Sequence, residues 1–391
     1  EGWMPQTEEH VAALDALAVH NAVLAVTRSD LADPGPVVTD ALSRLARTTL
    51  GEVEAVVVAV RPDGGTQGLD ALRAALLRML RALPDADDAA AVRLWIDRSF
   101  TVQGSGTIVT GTLTAGSLTT NDTLVLVPFG HEVRVRGLQS LGKPVDTVTA
   151  LARVAVNLRG VDQHHVRRGD ALLTPGAWAL TSTVDVRLTN AAATDVGMDV
   201  LSRELTMHIG SAAVPARLRV LRPDIARLTI ARNLPLRASD LALLRDPGRH
   251  RIVAGARILD ADPPPLRRRG AAAARGKELQ AAPGRFDVRA EIQRRGIVRA
   301  TQLRTLGAEC LPTPLAADWF VDDTLAETLR DRLIMLVSQH LQRFPLEPGP
   351  TVDAVCHALR LPDRRLLNAL VASAGGALLE VKGGRVIDRQ L

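Results

Sequence analysis

Hydrophobic positions in the first 84 residues recur with two different periods. Val11, Leu14, Leu17 and Ala18 fall at helical spacing within 8–19, and Val38, Leu42 and Leu45 do so within 37–48. Between them, 21–26 is a short apolar strand that runs into the turn-like Thr27, Arg28, Ser29 and Asp30. Residues 53–60 form an apolar run of strand length, as in a parallel strand covered on both faces. Pro62-Asp63-Gly64-Gly65 is a strong turn, and 69–83 reads as an amphipathic helix. This alternation predicts a piece of a doubly wound α/β sheet over 1–84.

Past 84–91 the period becomes two. Residues 93–100, 107–113, 123–127, 132–138 and 153–158 read as strands, separated by turn signals such as Gly104-Ser105-Gly106, Asn121-Asp122 and Gly142-Lys143-Pro144. Many short strands at that spacing predict an antiparallel β-barrel over 89–175. A second β-rich block, 177–262, carries strands at 183–188, 204–209, 213–221, 226–231 and 251–259, and three consecutive prolines close it at 263–265. After a basic, Ala-rich stretch at 267–276, compatible with a loop or a helix, helices are predicted at 286–296, 300–306, 323–342, 350–359 and 363–372. Residues 377–381 and 385–388 form a β-hairpin around Gly383-Gly384. Helices followed by a hairpin predict α+β winged-helix domains, at 267–322 and 323–391.

Composition narrows the class. Hydrophobic residues make up 46% and charged residues 23%, which suits several buried cores. The longest apolar runs, such as 55–60, fall far short of the ~20 residues of a membrane span. The acidic start (Glu1, Glu8, Glu9) lacks a signal-peptide pattern, and Cys310 and Cys356 are too isolated for a disulfide framework or a zinc site. A cytoplasmic protein with no membrane partner is expected. Charge is uneven: residues 265–391 hold 20 basic and 14 acidic side chains, while the rest is nearly neutral. A basic tail predicts a surface that faces RNA or the ribosome. Its candidate contacts are Arg267, Arg268, Arg269, Arg294, Arg295, Arg299, Arg364 and Arg365. Gly104, Gly106 and Gly111 lie between strands and not before a helix, so they predict turns or bulges of the barrel and no nucleotide loop. His164-His165 lacks a third ligand at metal spacing, and no catalytic residue is assigned.

Four stretches resemble translational GTPases, and specifically the selenocysteine-specific elongation factors. They are Gly2-Trp3-Met4-Pro5-Gln6-Thr7 with His10, Thr27-Arg28-Ser29-Asp30, the run Ile96-Asp97-Arg98 through Gly111-Thr112, and Arg168-Gly169-Asp170-Ala171-Leu172-Leu173. The resemblance implies a GTPase that delivers selenocysteyl-tRNA to the ribosome at recoded UGA codons. It implies guanine recognition by Thr27, Arg28 and Asp30, where the Asp30 carboxylate accepts from guanine N–H groups and Arg28 stands where the family usually has lysine. The next guanine loop would fall near 61–65, where Arg61-Pro62 replaces the family's Ser-Ala and no residue is assigned. GTP and Mg²⁺ are the cofactors implied for the intact protein. The sequence contains no GxxxxGK[ST] run and no switch II motif, so the chain is expected to be N-terminally incomplete, and not to bind GTP tightly or hydrolyse it alone. Asp97, Arg98 and Arg153 match positions that line the family's aminoacyl pocket, where two guanidiniums would favour an anionic selenolate over serine. The resemblance implies that the last winged helices of the family bind the mRNA recoding hairpin; the chain stops after about two such units where more are expected, so that module is expected to fall outside it, with Arg385 in the final wing as the one candidate, and the protein would act as a monomer. Alternatives are another elongation factor Tu-like GTPase or a non-enzymatic winged-helix protein that binds RNA or DNA.

Overall fold

Pro5 opens the first helix, because a proline at N1 has its ring φ already helical and no N–H to lose. The computed structural model describes residues 2–102, 104, 106–189, 202–282, 286–373 and 379–389. Two compact units result, Glu1–Arg285 and Phe286–Leu391. In the first, α1 (Pro5–Ala16) leads to β1 (Val23–Val26), α2 (Gly35–Leu45) and β2 (Glu54–Val57). β1 and β2 are parallel, with Val23 opposite Glu54 and Val26 opposite Val57. The apolar run expected as one strand breaks after Val57: β3 (Ala59–Val60) turns away and pairs antiparallel with β4 (Thr66–Gln67). The Asp-Gly-Gly turn is the reason, with the Arg61 N–H bonded to the Gly65 carbonyl at 2.8 Å. α3 (Leu69–Arg81) covers this piece, burying Ala75 against Val56 and Val58.

The first barrel is built from β5 (Arg93–Val102), β6 (Gly106–Leu113), β7 (Ser117–Thr119), β8 (Thr123–Val127), β9 (His131–Ser140), β10 (Lys143–Val145), β11 (Thr147–Thr149), β12 (Ala152–Arg159) and β13 (Ala171–Leu173). Its ring runs β9-β12-β6-β5-β13-β8, and β8 pairs with β9 to close it; every step is antiparallel. Inward alternation fills it with Leu94, Ile96, Val109, Leu113, Leu126, Val135 and Val156. The second barrel is closed in the order β14-β17-β16-β15-β18-β19. These strands are β14 (Leu180–Thr189), β15 (Glu204–Ile209), β16 (Ala212–Arg222), β17 (Ile225–Pro235), β18 (Leu241–Asp246) and β19 (Arg251–Asp260).

Specific contacts lock these parts together. Gly210 lies so close to Trp95 that a Cβ there would sit 2.3 Å from the indole. Arg93 forks Asp240 at 2.6 and 2.7 Å, and Arg93 and Arg237 both stack on Trp178, at 4.5 and 3.5 Å from its centroid. Burial, and then the nearby Arg93, push the Arg237 pKa down to about 10. α1 docks on the second barrel through Ala12 and Ala16 against Ile252, and through Glu9 on Arg245 at 3.0 Å.

The Ala-rich stretch after the prolines becomes α4 (Ala271–Ala281), and it packs on the second barrel. Buried Arg275 donates to Asp185 at 2.8 Å and also meets Asp260, while Arg227 forks Asp185 at 2.7 and 3.0 Å. Two buried barrel carboxylates draw this helix in as their counter-charge. The compact tail unit therefore starts at Phe286, later than the expected 267.

In the tail, α5 (Val288–Arg295), β20 (Ile297–Arg299), α6 (Ala300–Leu306) and β21 (Trp319–Val321) surround Val298, Leu303 and Phe320. α7 (Asp323–Arg343), α8 (Val352–Leu359), α9 (Arg364–Ser373), β22 (Leu379–Lys382) and β23 (Arg385–Asp388) enclose a larger core around Leu333, Leu367, Leu370 and Val386. Asp287, Asp322 and Thr351 cap α5, α7 and α8. β20–β21 and β22–β23 are antiparallel pairs. Residues 374–378, which include the start of the expected hairpin strand, lie outside the described residues. Among the described residues no helix is long and apolar enough to cross a membrane.

Candidate aminoacyl site and nucleotide loop

Alternation along β5 turns Leu94 and Ile96 inward and Trp95 and Asp97 outward. The next residue should point back into the core. Instead the ladder slips: Ile96 faces Gly111, and Arg98 faces Thr110. Asp97 is the extra residue of a β-bulge, and the bulge puts the exposed Arg98 on the same outer face as Asp97 and Thr110. On the neighbouring β12, Arg153 is exposed between inward positions and pairs with Thr112.

These side chains converge. Arg153 forks Asp97, Nη1 to Oδ2 at 2.6 Å and Nη2 to Oδ1 at 3.0 Å. Thr110 Oγ1 donates to Asp97 Oδ1 at 2.7 Å and sits 3.5 Å from Arg153 Nη2. The Arg153 fork holds the Asp97 carboxyl below its usual range, with the Thr110 hydroxyl helping and partial burial opposing. Asp97 in turn raises the Arg153 pKa. Arg98 makes no hydrogen bond or ion pair among the described residues, though its charge is felt at Asp97. Two cations and one anion leave the site one net positive charge, carried by an open guanidinium: a place for a small anion. Thr110 was not singled out from sequence; strand alternation alone puts it on this face, and only the bulge makes it a neighbour of both Asp97 and Arg98.

The loop after β1 is tight. Val58 N–H bonds to the Val26 carbonyl at 2.8 Å, Leu31 N–H to the Arg28 carbonyl at 3.1 Å, and Arg28 is left-handed with φ 58°. Thr27, Arg28 and Asp30 are all exposed. Thr27 and Arg28 line a cleft of about 650 Å³ with Trp3, Leu24 and Ser29. Asp30 does not cap a helix. The next helix is α2, and Asp33 takes the Gly35 N–H there at 3.0 Å. An exposed loop carboxylate suits the N–H edge of guanine, but this chain holds no residues in a GxxxxGK[ST] run to cradle phosphates.

Residues 106–173 match the family described as elongation factor Tu domain 2, and residues 185–265 the one described as selenocysteine-specific elongation factor, beta-barrel domain. The selenocysteine-specific elongation factor of Escherichia coli (strain K12) is 32% identical over 272 residues, covering 68% of this chain and 42% of that protein. The chain belongs to the family of selenocysteine-specific elongation factors. The factor of that name from Desulfomicrobium baculatum is 29% identical over 271 residues, covering 66% of this chain and 42% of its own. The chain thus spans less than half the length of the curated relatives it matches. A crystal structure of bacterial selenocysteine-specific elongation factor EF-Sec matches the fold with a TM-score of 0.78 at 20% identity, over 99% of this chain and 65% of that one.

The arginines expected to read RNA in this elongation-factor chain fall into two sets. Arg267, Arg268 and Arg269 are exposed just ahead of α4. Arg294 and Arg295 fold back along α5 onto Glu291 and are only 20% and 15% exposed, so they do not form an open basic face. Arg364 pairs with Asp353 at 2.5 Å, Arg365 with Asp363 at 2.6 Å, Arg385 with Glu347 at 2.7 Å and Arg299 with Asp318 at 3.4 Å. The Arg365 side chain, its N–H and the Trp319 indole hold Asp363 well below the usual carboxylate range. The Glu291 pairs lie one helical turn apart, whereas Asp353, Glu347 and Asp318 reach their arginines from other elements, a pairing that a net-charge count does not show. His164 and His165 sit in a single 3₁₀ turn, and no group of metal-ligating side chains occurs among the described residues.

Proposed function

We propose that this chain is the tRNA-handling part of a selenocysteine-specific elongation factor, acting in the cytoplasm as a monomer and delivering selenocysteyl-tRNA to the ribosome. One observation carries the reading: Asp97 and Thr110 hold Arg153, while Arg98 beside them stays open. A selenol is acidic enough to be an anion at neutral pH. Its selenolate gains charge-assisted hydrogen bonds from Arg98 and from the outer edge of Arg153, which a neutral seryl hydroxyl cannot match. At about 1.5–3 kcal/mol for a hydrogen bond to a charged group, the preference is on the order of ten- to a hundredfold.

Thr27, Arg28 and Asp30 are assigned to the guanine base of GTP in the intact protein, where Mg²⁺ would accompany the phosphates. GTP hydrolysis is not assigned to this chain alone. The domains are read as a partial GTPase domain at 1–84, barrels at 89–175 and 177–262, and two winged helices in the tail. The two strand pairs packed with helices support that last reading, and the winged helices would meet ribosomal RNA or the mRNA recoding hairpin.

The test compares this chain's affinity for one tRNA body charged with selenocysteine or with serine. The parent prefers selenocysteine by tenfold or more, and Arg98→Ala and Arg153→Ala bring the ratio towards one without weakening seryl-tRNA binding. Equal affinity of the parent for both charged forms sinks the assignment.

A further inference from the structure

At the far end of β12 from Arg153, the first barrel sets like charges side by side. Arg159 is the register partner of Arg134 on β9, and both are exposed. The ladder slips between Asn157 and Leu158, which makes Arg136 the bulged residue next to this pair. Arg153 and Arg159 stand roughly 20 Å apart at ~3.3 Å per residue, so one aminoacyl group cannot use both.

Directly opposed like charges weaken a sheet, and here the barrel returns little for it. Arg159 makes no hydrogen bond or ion pair among the described residues, and Arg134 donates to the Asn121 carbonyl at 3.3 Å. Two surface recesses meet at Arg159. One of about 440 Å³ is lined by Thr123, Glu132 and Arg134, and one of about 470 Å³ by Arg136, Gly160 and Asp162. Asp162 accepts from the His164 N–H at 3.3 Å to cap the 3₁₀ turn, and it and Glu132 are the carboxylates beside Arg134, Arg136 and Arg159, so guanidiniums remain in excess along the strip. At the β8–β9 turn, Phe129 is 50% exposed, with the His131 ring set edge-on to it at 6.3 Å.

We propose that this strip is an RNA-docking surface. Arg134 and Arg159 take neighbouring backbone phosphates, which relieves their mutual repulsion, and Phe129 gives a face on which an unpaired base stacks. Guanidiniums with an exposed aromatic ring at the tip of the same hairpin favour nucleic acid over an acidic protein, which would offer carboxylates but nothing to stack. The site is separate from the aminoacyl site and stands if that reading fails, because its probe carries no amino acid.

The experiment is fluorescence anisotropy of the full chain with a labelled, uncharged RNA hairpin bearing a single-stranded 3′ tail, over a range of salt. The double variant Arg134→Ala/Arg159→Ala binds about tenfold or more weaker, and its slope of log affinity against log salt falls by about two. Its Tm is unchanged or higher, since a repulsive pair is gone. Phe129→Ala weakens binding of the tailed hairpin and leaves the blunt one unaffected. Arg217→Ala, at an exposed pair with Glu204 on the second barrel, controls for net charge. The proposal is overturned if the double variant keeps the parental affinity and slope, or if Arg217→Ala matches its loss. A lower Tm with unchanged RNA binding also overturns it, by making the pair structural.

Discussion

Asp185 is the most consequential single carboxylate for the barrel that anchors α4. It is fully buried and accepts three charge-assisted hydrogen bonds, two from Arg227 and one from Arg275. In Asp185→Ala both guanidiniums stay buried, with exposures of 9% and 5%. Arg275 keeps Asp260 and Glu278, and Arg227 keeps the Pro264 carbonyl, so neither is stripped of all partners. Removing one side of a buried pair costs about 3–5 kcal/mol, and the remaining partners favour the lower half of that range. Urea unfolding followed by the fluorescence of Trp95 and Trp178, both at the contact between the barrels, reads the first unit. The expected loss is about 3–4 kcal/mol, on the order of 10 °C in Tm. Glu54→Ala, which breaks the exposed Arg78 pair, is the comparison and should cost about 0–1 kcal/mol. Hydrogen exchange should also show α4 losing protection, because Arg275 is its buried anchor. A loss below ~1 kcal/mol for Asp185→Ala would refute the account of a desolvated network and equate it with a surface pair.

Three further outcomes follow from the same geometry. Thr110→Val removes the hydroxyl that steadies Asp97 and should cost about 0.5–1.5 kcal/mol of stability; the selenocysteyl-to-seryl affinity ratio should fall, while affinity for uncharged tRNA stays the same. Asp97 titrates below its ordinary 3.8 in the folded chain, so its contribution is complete above that pH and is lost as pH drops through the lower folded value; the stability gap between parent and Asp97→Ala, from urea midpoints, should be flat near neutrality and shrink below pH 3.8, and a gap that grows on acidification would contradict this. Gly210→Ala drives a methyl into the Trp95 ring at a left-handed position, φ 53°, and should destabilise by about 1–3 kcal/mol with altered tryptophan emission.

Local periodicity was enough for the order of architectures: helix–strand alternation, then two runs of period-two strands, then helices with hairpins. Helical and strand spacing, N1 proline, the Asp-Gly-Gly turn and the triple proline all act within a few residues, so they are readable along the chain. The stretch from Ile96 to Thr112 likewise carried the family resemblance and pointed at Asp97 and Arg98. What only the tertiary structure decided depends on partners far apart in sequence. The bulge that turns Arg98 outward exists because β5 meets β6 out of step, and Arg153 reaches Asp97 only because β12 lies on the other side of β6. α4 joined the second barrel, against the expected tail domain, because Arg275 answers carboxylates on β14 and β19. Part of the tail's basic charge is paired, because Arg364, Arg365 and Arg385 meet acids that a net-charge count sums but does not place. Burial and charge pairing are properties of neighbours in space, and a linear pattern records them only where the chain itself supplies the neighbour.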